Sequence, residues 1–262
     1  REKRKAIEHI KGEIAEKRIY AKNRLISEMF AGTPYGIPKC GTVDDVLKVT
    51  PESLYKAWQN MLETAFVRVH VVGAAVPQKL FEEVKQRFES INRHDITDCK
   101  ACKPAVKAKK VNTVFEKMDV KQGKLVMGFS CDMYGDDDLS LPLMVMCDIF
   151  GGGPYSRLFT NVREKMSLCY YCAASSVRYK GLLTVDSGVE VENADKAIDE
   201  ILNQLAIMKK GEFSDSEFES SIKSICDSLN TYYDSQNSLD LWYALKINNH
   251  NLYSPEDIIE KI

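Results

Sequence analysis

Apolar positions recur at helical spacing through residues 3 to about 30, where Ile7, Ile10, Ile14, Ala21, Leu25 and Met29 mark one face. This predicts one long helix, with its stripe interrupted at Lys17 and Arg18. Residues 32–41 (GTPYGIPKCG) are rich in Gly and Pro and predict a loop. Thr50-Pro51 reads as an N-cap followed by proline at the first helical position. The helix it opens carries Leu54, Trp58 and Met61 on one stripe. Residues 66–72 (FVRVHVV) alternate in β-branched residues and predict a strand, closed by a Gly73-Ala74 turn. Helical spacing returns from Val76 to Ile91.

From residue 92 to about 112 the periodicity disappears, while Lys, Pro and Cys accumulate. This predicts a linker between a first unit, 1–91, and a second, 113–262. In the second unit a strand over 124–131 leads through Gly135-Asp136-Asp137-Asp138 into a helix over 139–150. The aspartates read as anions at a helix N-terminus, which the dipole favours; no Glu follows at calcium-loop spacing. Three glycines and a proline, Gly151-Gly152-Gly153-Pro154, stop that helix, and Ser156 opens another carrying Arg157 and Arg163. Strands are predicted over 169–177 and 182–191, joined by Lys180-Gly181. Helices follow over 194–209 and 215–231, the second with a capping box from Ser214 to Glu217. One more helical stretch runs over 239–249, and Ser254-Pro255 begins another. Helices grouped in pairs after strands predict an α+β fold rather than a doubly wound one. The chain opens on Arg inside a helical pattern and stops early in its last helix, so both ends look cut.

Composition changes this picture little. The 262 residues are 44% hydrophobic and 28% charged, enough for a real core, and the net charge of −2 gives no support to nucleic-acid binding. The basic run 103–110 (KPAVKAKK) is short and reads as solvated linker. No stretch approaches the ~20 apolar residues of a membrane span. Eight scattered cysteines read as free thiols in a reducing compartment, which predicts a cytoplasmic location. Cys99 and Cys102 fall in a loop without a second pair to complete a zinc site. Cys169 and Cys172 lie in a predicted strand, where a spacing of three points them to opposite faces.

The chemistry left open is narrow. The four histidines, His9, His70, His94 and His250, form neither H-E-x-x-H nor H-x-x-E-H. His70 alternates against Val67, Val69 and Val71 and reads as an ordinary strand histidine. There is no G-x-S-x-G, and the glycine run lacks the G-K-[ST] ending of a phosphate loop. Arg163 and Tyr170 remain, seven positions apart across a helix-to-strand corner. A guanidinium fork and a phenol can together hold a peptide carbonyl or an oxyanion. Spacing alone fits as well a solvated helix arginine and a half-buried strand tyrosine, and favours that plainer reading.

The segment FGGGPYSRLFTNVREKMSLCY resembles the second-domain segment of the insulinase/pitrilysin/mitochondrial-processing-peptidase zinc peptidases: a Gly-rich loop, S-R-L-F, R-E-K, and a Tyr seven after the Arg. The similarity extends through MFAGTPYGIPKCGTVDDVLKVTPESLYKAW, VRVHVVGAA and YSPEDIIEKI. It implies two processing-peptidase-like units, the first incomplete, each an antiparallel-rich sheet with helices on one face. It also implies that Arg163, Tyr170 and Gly151, Gly152 and Gly153 bind substrate peptide near a zinc held by a partner domain. The family's third zinc ligand, a Glu, would fall at or beside Ile10, and H-x-x-E-H would lie upstream. The resemblance therefore implies no catalytic residue, metal or other cofactor in this chain. It implies a chamber completed with a zinc-bearing homologous domain or subunit, as in a dimer, around a peptide or unfolded polypeptide. The alternatives are part of an active zinc endopeptidase, or an interaction module without peptide chemistry.

Overall fold

The computed structural model describes residues 1–71, 78–97, 110–131, 139–177, 180–247 and 253–262. Its centre is a three-stranded antiparallel sheet of β1 (Gly123–Ser130), β2 (Cys169–Val177) and β3 (Leu182–Val189), in the order β1-β3-β2. The middle strand is buried along its whole length. Gly181, at φ +55°, turns the chain into it, a left-handed conformation that glycine adopts without strain.

The register places Leu125, Met127, Phe129, Val185, Val189 and Cys172 on one face. Against it pack α6 (Ser140–Gly151), a π-helix (Leu158–Lys165) and α7 (Ala194–Lys209). Ile149, Phe150, Leu158, Val162 and Ile201 are each at most 2% exposed there. Burying one such side chain stabilises the fold by roughly 1.5–3 kcal/mol. Behind α6 lies α8 (Asp215–Asn230), which with α9 (Gln236–Ile247) and α10 (Pro255–Lys261) surrounds a smaller core at Ile225, Leu229 and Ile258. The capping box at Ser214 and Glu217 is present, and a second at Ser254 and Asp257 opens α10.

The N-terminal half is helical: α1 (Glu2–Gly12), α2 (Lys17–Met29), α3 (Val43–Lys48), α4 (Pro51–Thr64) and α5 (Gln78–Glu89). The long helix expected over 3–30 is broken at residues 13–16, just after Gly12, a poor helix former. The interruption of its apolar stripe has a cause. Arg18 and Lys22 turn toward Asp186 on β3, at 2.5 and 2.9 Å, so α2 lies on the sheet face opposite the core. Gly128 permits this approach, because a Cβ there would sit 2.9 Å from the Met29 sulfur. Thr50 caps α4 as expected, through a box with Ser53.

The strand expected over 66–72 does not form. Residues 66–71 are unpaired, Val67, Val69 and Val71 are 36%, 52% and 50% exposed, and the nearest pairing is an isolated bridge from Ala65 to Thr97. A strand exists through its neighbours' hydrogen bonds, and among the described residues this segment has no neighbouring strand. Over residues 1–97, Phe30 is the one described residue that is buried. Leu54, Trp58 and Met61 of α4 are at least half exposed. The Gly73-Ala74 turn, Cys99, Cys102, His250, the aspartates 136–138 and most of the proposed linker lie outside the described residues.

Candidate substrate site

The helix that Ser156 opens is π-helical over Leu158–Lys165, ending with the Met166 N–H on the Asn161 carbonyl. Single π turns are frequent at functional sites. Arg157 anchors its start: Nε lies 2.9 Å from Glu217 Oε1, and Nη1 donates to the Glu212 carbonyl at 2.7 Å. Arg163 stacks over the Phe159 ring at 4.4 Å. Its Nε donates to the backbone carbonyl of Tyr170 at 2.9 Å, and Nη1 lies 3.0 Å from Glu164. Between them Ser167 takes φ +52°, closing the corner.

The corner thus joins Arg163 to the backbone of Tyr170, while the phenol turns elsewhere. The Tyr170 hydroxyl donates to Glu190 Oε1 at 3.2 Å, and this bond to a carboxylate pushes the phenol pKa up. Sequence reasoning missed Glu190, which sits just past β3 where nothing in its spacing marks it. Tyr170 is 59% exposed because it is an extra residue in the strand: Cys169 opposes Val189 and Tyr171 opposes Gly188, leaving Tyr170 on a bulge.

The bulge also corrects the expectation for the thiols. One inserted residue returns Cys169 and Cys172 to the same face, both buried in the core. Each thiol shifts the other: the neighbouring Cys172 pulls the Cys169 pKa down, while Cys169 and burial push that of Cys172 up.

The three glycines terminate α6. Gly151 is buried, and a Cβ there would lie 2.3 Å from the Ala174 nitrogen, so its bareness lets α6 press on β2. At Gly152 a Cβ would meet the Asp148 carboxylate, which accepts from the Tyr155 hydroxyl at 2.6 Å and the Ser221 hydroxyl at 2.7 Å. Gly152 is exposed and Gly153 half-buried.

The family's third zinc ligand would fall at or beside Ile10, whose side chain has no lone pair to offer a metal, so that position does not fit a hydrolytic zinc. Among the described residues, ligand-type side chains converge only at His9, Glu13 and Cys40. No described helix is long and apolar enough to cross a membrane.

Residues 48–225 match the family profile described as the peptidase M16 inactive domain. The chain is 35% identical over 218 residues to the probable inactive metalloprotease YmfF of Bacillus subtilis, covering 82% of this chain and 50% of that protein. It is 26% identical to the uncharacterized zinc protease YmxG of the same organism, covering 78% and 49%. It thus spans about half the length of these relatives. A conserved protein from Enterococcus faecalis superimposes with a TM-score of 0.82 at 26% identity, over all of this chain and 62% of that one. The peptidase M16 inactive domain from Pseudomonas fluorescens gives 0.76 at 16% identity, over 99% and 62%. The capped α+β fold, the glycine-terminated α6 and the Arg163–Tyr170 corner thus belong to a chain of the peptidase M16 inactive-domain family.

Proposed function

We propose that this chain binds extended polypeptide and completes a chamber with a zinc-bearing homologous domain or subunit that supplies the hydrolytic metal. Arg163 and Tyr170 hold the substrate backbone, and the run Gly151 to Gly153 lets it come close, chiefly at the exposed Gly152. The observation that carries this reading is the corner itself. Arg163 is fixed by Phe159 and the Tyr170 carbonyl, and its five-donor fork keeps N–H groups for a peptide carbonyl. Tyr170 stands out on a bulge at the head of β2, an edge strand of the sheet among the described residues. Edge strands can pair with extended peptides.

The test is fluorescence anisotropy with a fluorescein-labelled, reduced and carboxymethylated polypeptide that cannot fold. Arg163→Ala and Tyr170→Phe should each weaken binding roughly fivefold or more, as expected for loss of one hydrogen bond worth about 1 kcal/mol, while thermal unfolding stays near wild type. If both variants bind as tightly as wild type, an interaction module without peptide chemistry replaces this reading.

A second reading is favoured by relatives named as zinc proteases and by the half-length match. In it the chain is part of an active zinc endopeptidase, and sequence upstream of Arg1 in the parent protein carries H-x-x-E-H.

A further inference from the structure

We propose that His9, Glu13 and Cys40 form a zinc-class metal site that clamps the end of α1 to the turn ahead of α3, separate from any hydrolytic metal. One nitrogen, one carboxylate oxygen and one sulfur lie within 4.8 Å of one another. Zinc–ligand bonds of about 2.0–2.3 Å put tetrahedral ligand atoms roughly 3.3–3.8 Å apart. The three atoms therefore need to close by at most about 1.0–1.5 Å.

The backbone around them is already set. His9 lies in the last turn of α1 and Glu13 is the residue that caps its end, one turn further on, with the Glu13 N–H bonded back to the His9 carbonyl. Cys40 sits in a turn closed by the Gly41 N–H on the Pro38 carbonyl at 2.9 Å, with Gly41 at φ +67°. Lys3 Nζ donates to the Leu47 carbonyl at 2.7 Å, which holds α1 against α3 beside that turn. Asn23 of α2 reaches Glu13 Oε2 at 3.5 Å and orients the carboxylate from outside the ligand set. Among the described residues neither the His9 ring nor the Cys40 thiol has a hydrogen-bond partner, so both remain open to a metal.

The donor set chooses the ion. Thiolate and imidazole favour zinc over magnesium or calcium, which take oxygen ligands. Three protein ligands leave the fourth position for water. Binding converts the Cys40 thiol to thiolate with release of one proton and no change of oxidation state, so affinity rises with pH. Ile10, where the family resemblance would place a ligand, takes no part.

The test is cobalt titration of the full chain, read by the thiolate-to-cobalt charge-transfer band in the near ultraviolet. The band should saturate at about one cobalt per chain and be abolished by added zinc. Cys40→Ser should remove it. His9→Gln and Glu13→Gln should each weaken cobalt binding roughly tenfold or more, with circular dichroism unchanged. The double variant Cys99→Ser/Cys102→Ser should keep the band. A band that survives Cys40→Ser, or wild-type affinity in both His9→Gln and Glu13→Gln, overturns the site.

Discussion

Asp186 gives the sharpest prediction, because the two ways of breaking its ion pairs should differ in cost. The carboxylate is 4% exposed on β3, while Arg18 and Lys22 on α2 are 50% and 39% exposed. Asp186→Asn removes the buried charge and leaves two cations that can turn back to water. Its cost should be about 1–2 kcal/mol, close to the loss of one charge-assisted hydrogen bond. Arg18→Met with Lys22→Met keeps most of the aliphatic packing of both stems but strands a carboxylate away from water. An uncompensated buried charge costs about 3–5 kcal/mol, so this double variant should be the less stable by roughly 2 kcal/mol or more. Adding Asp186→Asn to the double variant should recover part of that loss, since no buried charge then remains. Urea unfolding at neutral pH, followed by far-ultraviolet circular dichroism, measures all three. A difference of 2–3 kcal/mol moves the midpoint by about 1 M for an m-value near 2–3 kcal/mol/M. The reasoning fails if Asp186→Asn costs as much as the double variant, or if the triple variant is no more stable than the double.

Two further outcomes follow from close contacts elsewhere. Gly151→Ala places a Cβ 2.3 Å from the Ala174 nitrogen, with backbone rather than a flexible side chain in the way; overpacking of this kind costs about 1–3 kcal/mol, or roughly 2–4 °C of melting temperature per kcal/mol, and an unchanged melting temperature would contradict the packing described. Burial pushes the Glu217 carboxyl up, but the Ser214 N–H and hydroxyl and the Arg157 guanidinium outweigh it and hold the carboxyl below the ordinary value of 4.5. The folded state therefore gains stability from this group above that value and loses it as pH falls through the lower folded one. Glu217→Gln should cost about 1 kcal/mol at pH 7 and flatten the acid side of the stability profile, measured as urea midpoint against pH; a steeper acid limb would reverse the sign of the argument.

The elements that could be read from sequence are those whose signals are local. Thr50-Pro51, Ser214 with Glu217, and Ser254-Pro255 each carry capping chemistry within four residues, and each opens a helix at that position. Lys180-Gly181 turns into β3 because only the glycine there has to reach a positive φ. What could not be read depends on partners distant in the chain. Residues 66–71 have the alternation of a strand but no neighbour to bond with among the described residues. The Arg18 interruption looked like a flaw in an apolar stripe until Asp186, 168 positions away, gave it a partner.

The substrate corner falls between these cases, and its geometry depends on two local irregularities. The π-helix over Leu158–Lys165 adds residues to the turn before the corner, and the bulge at Tyr170 adds one to the strand after it. A regular α-helix would turn Arg163 to a different direction, because each residue in a π-helix advances less around the axis. A regular strand would put Tyr170 and Cys172 on one face and Cys169 on the other. The core needs both Cys169 and Cys172 against Ile149 and Val189. With both of them inside, an even pleat cannot also place Tyr170 outside, and the bulge resolves the conflict. A spacing of seven between Arg163 and Tyr170 contains neither irregularity. Places where local rules fail without loss of packing are where function is to be sought, and here the two failures fall on the two residues that the resemblance singles out, Arg163 within the π-helix and Tyr170 at the bulge.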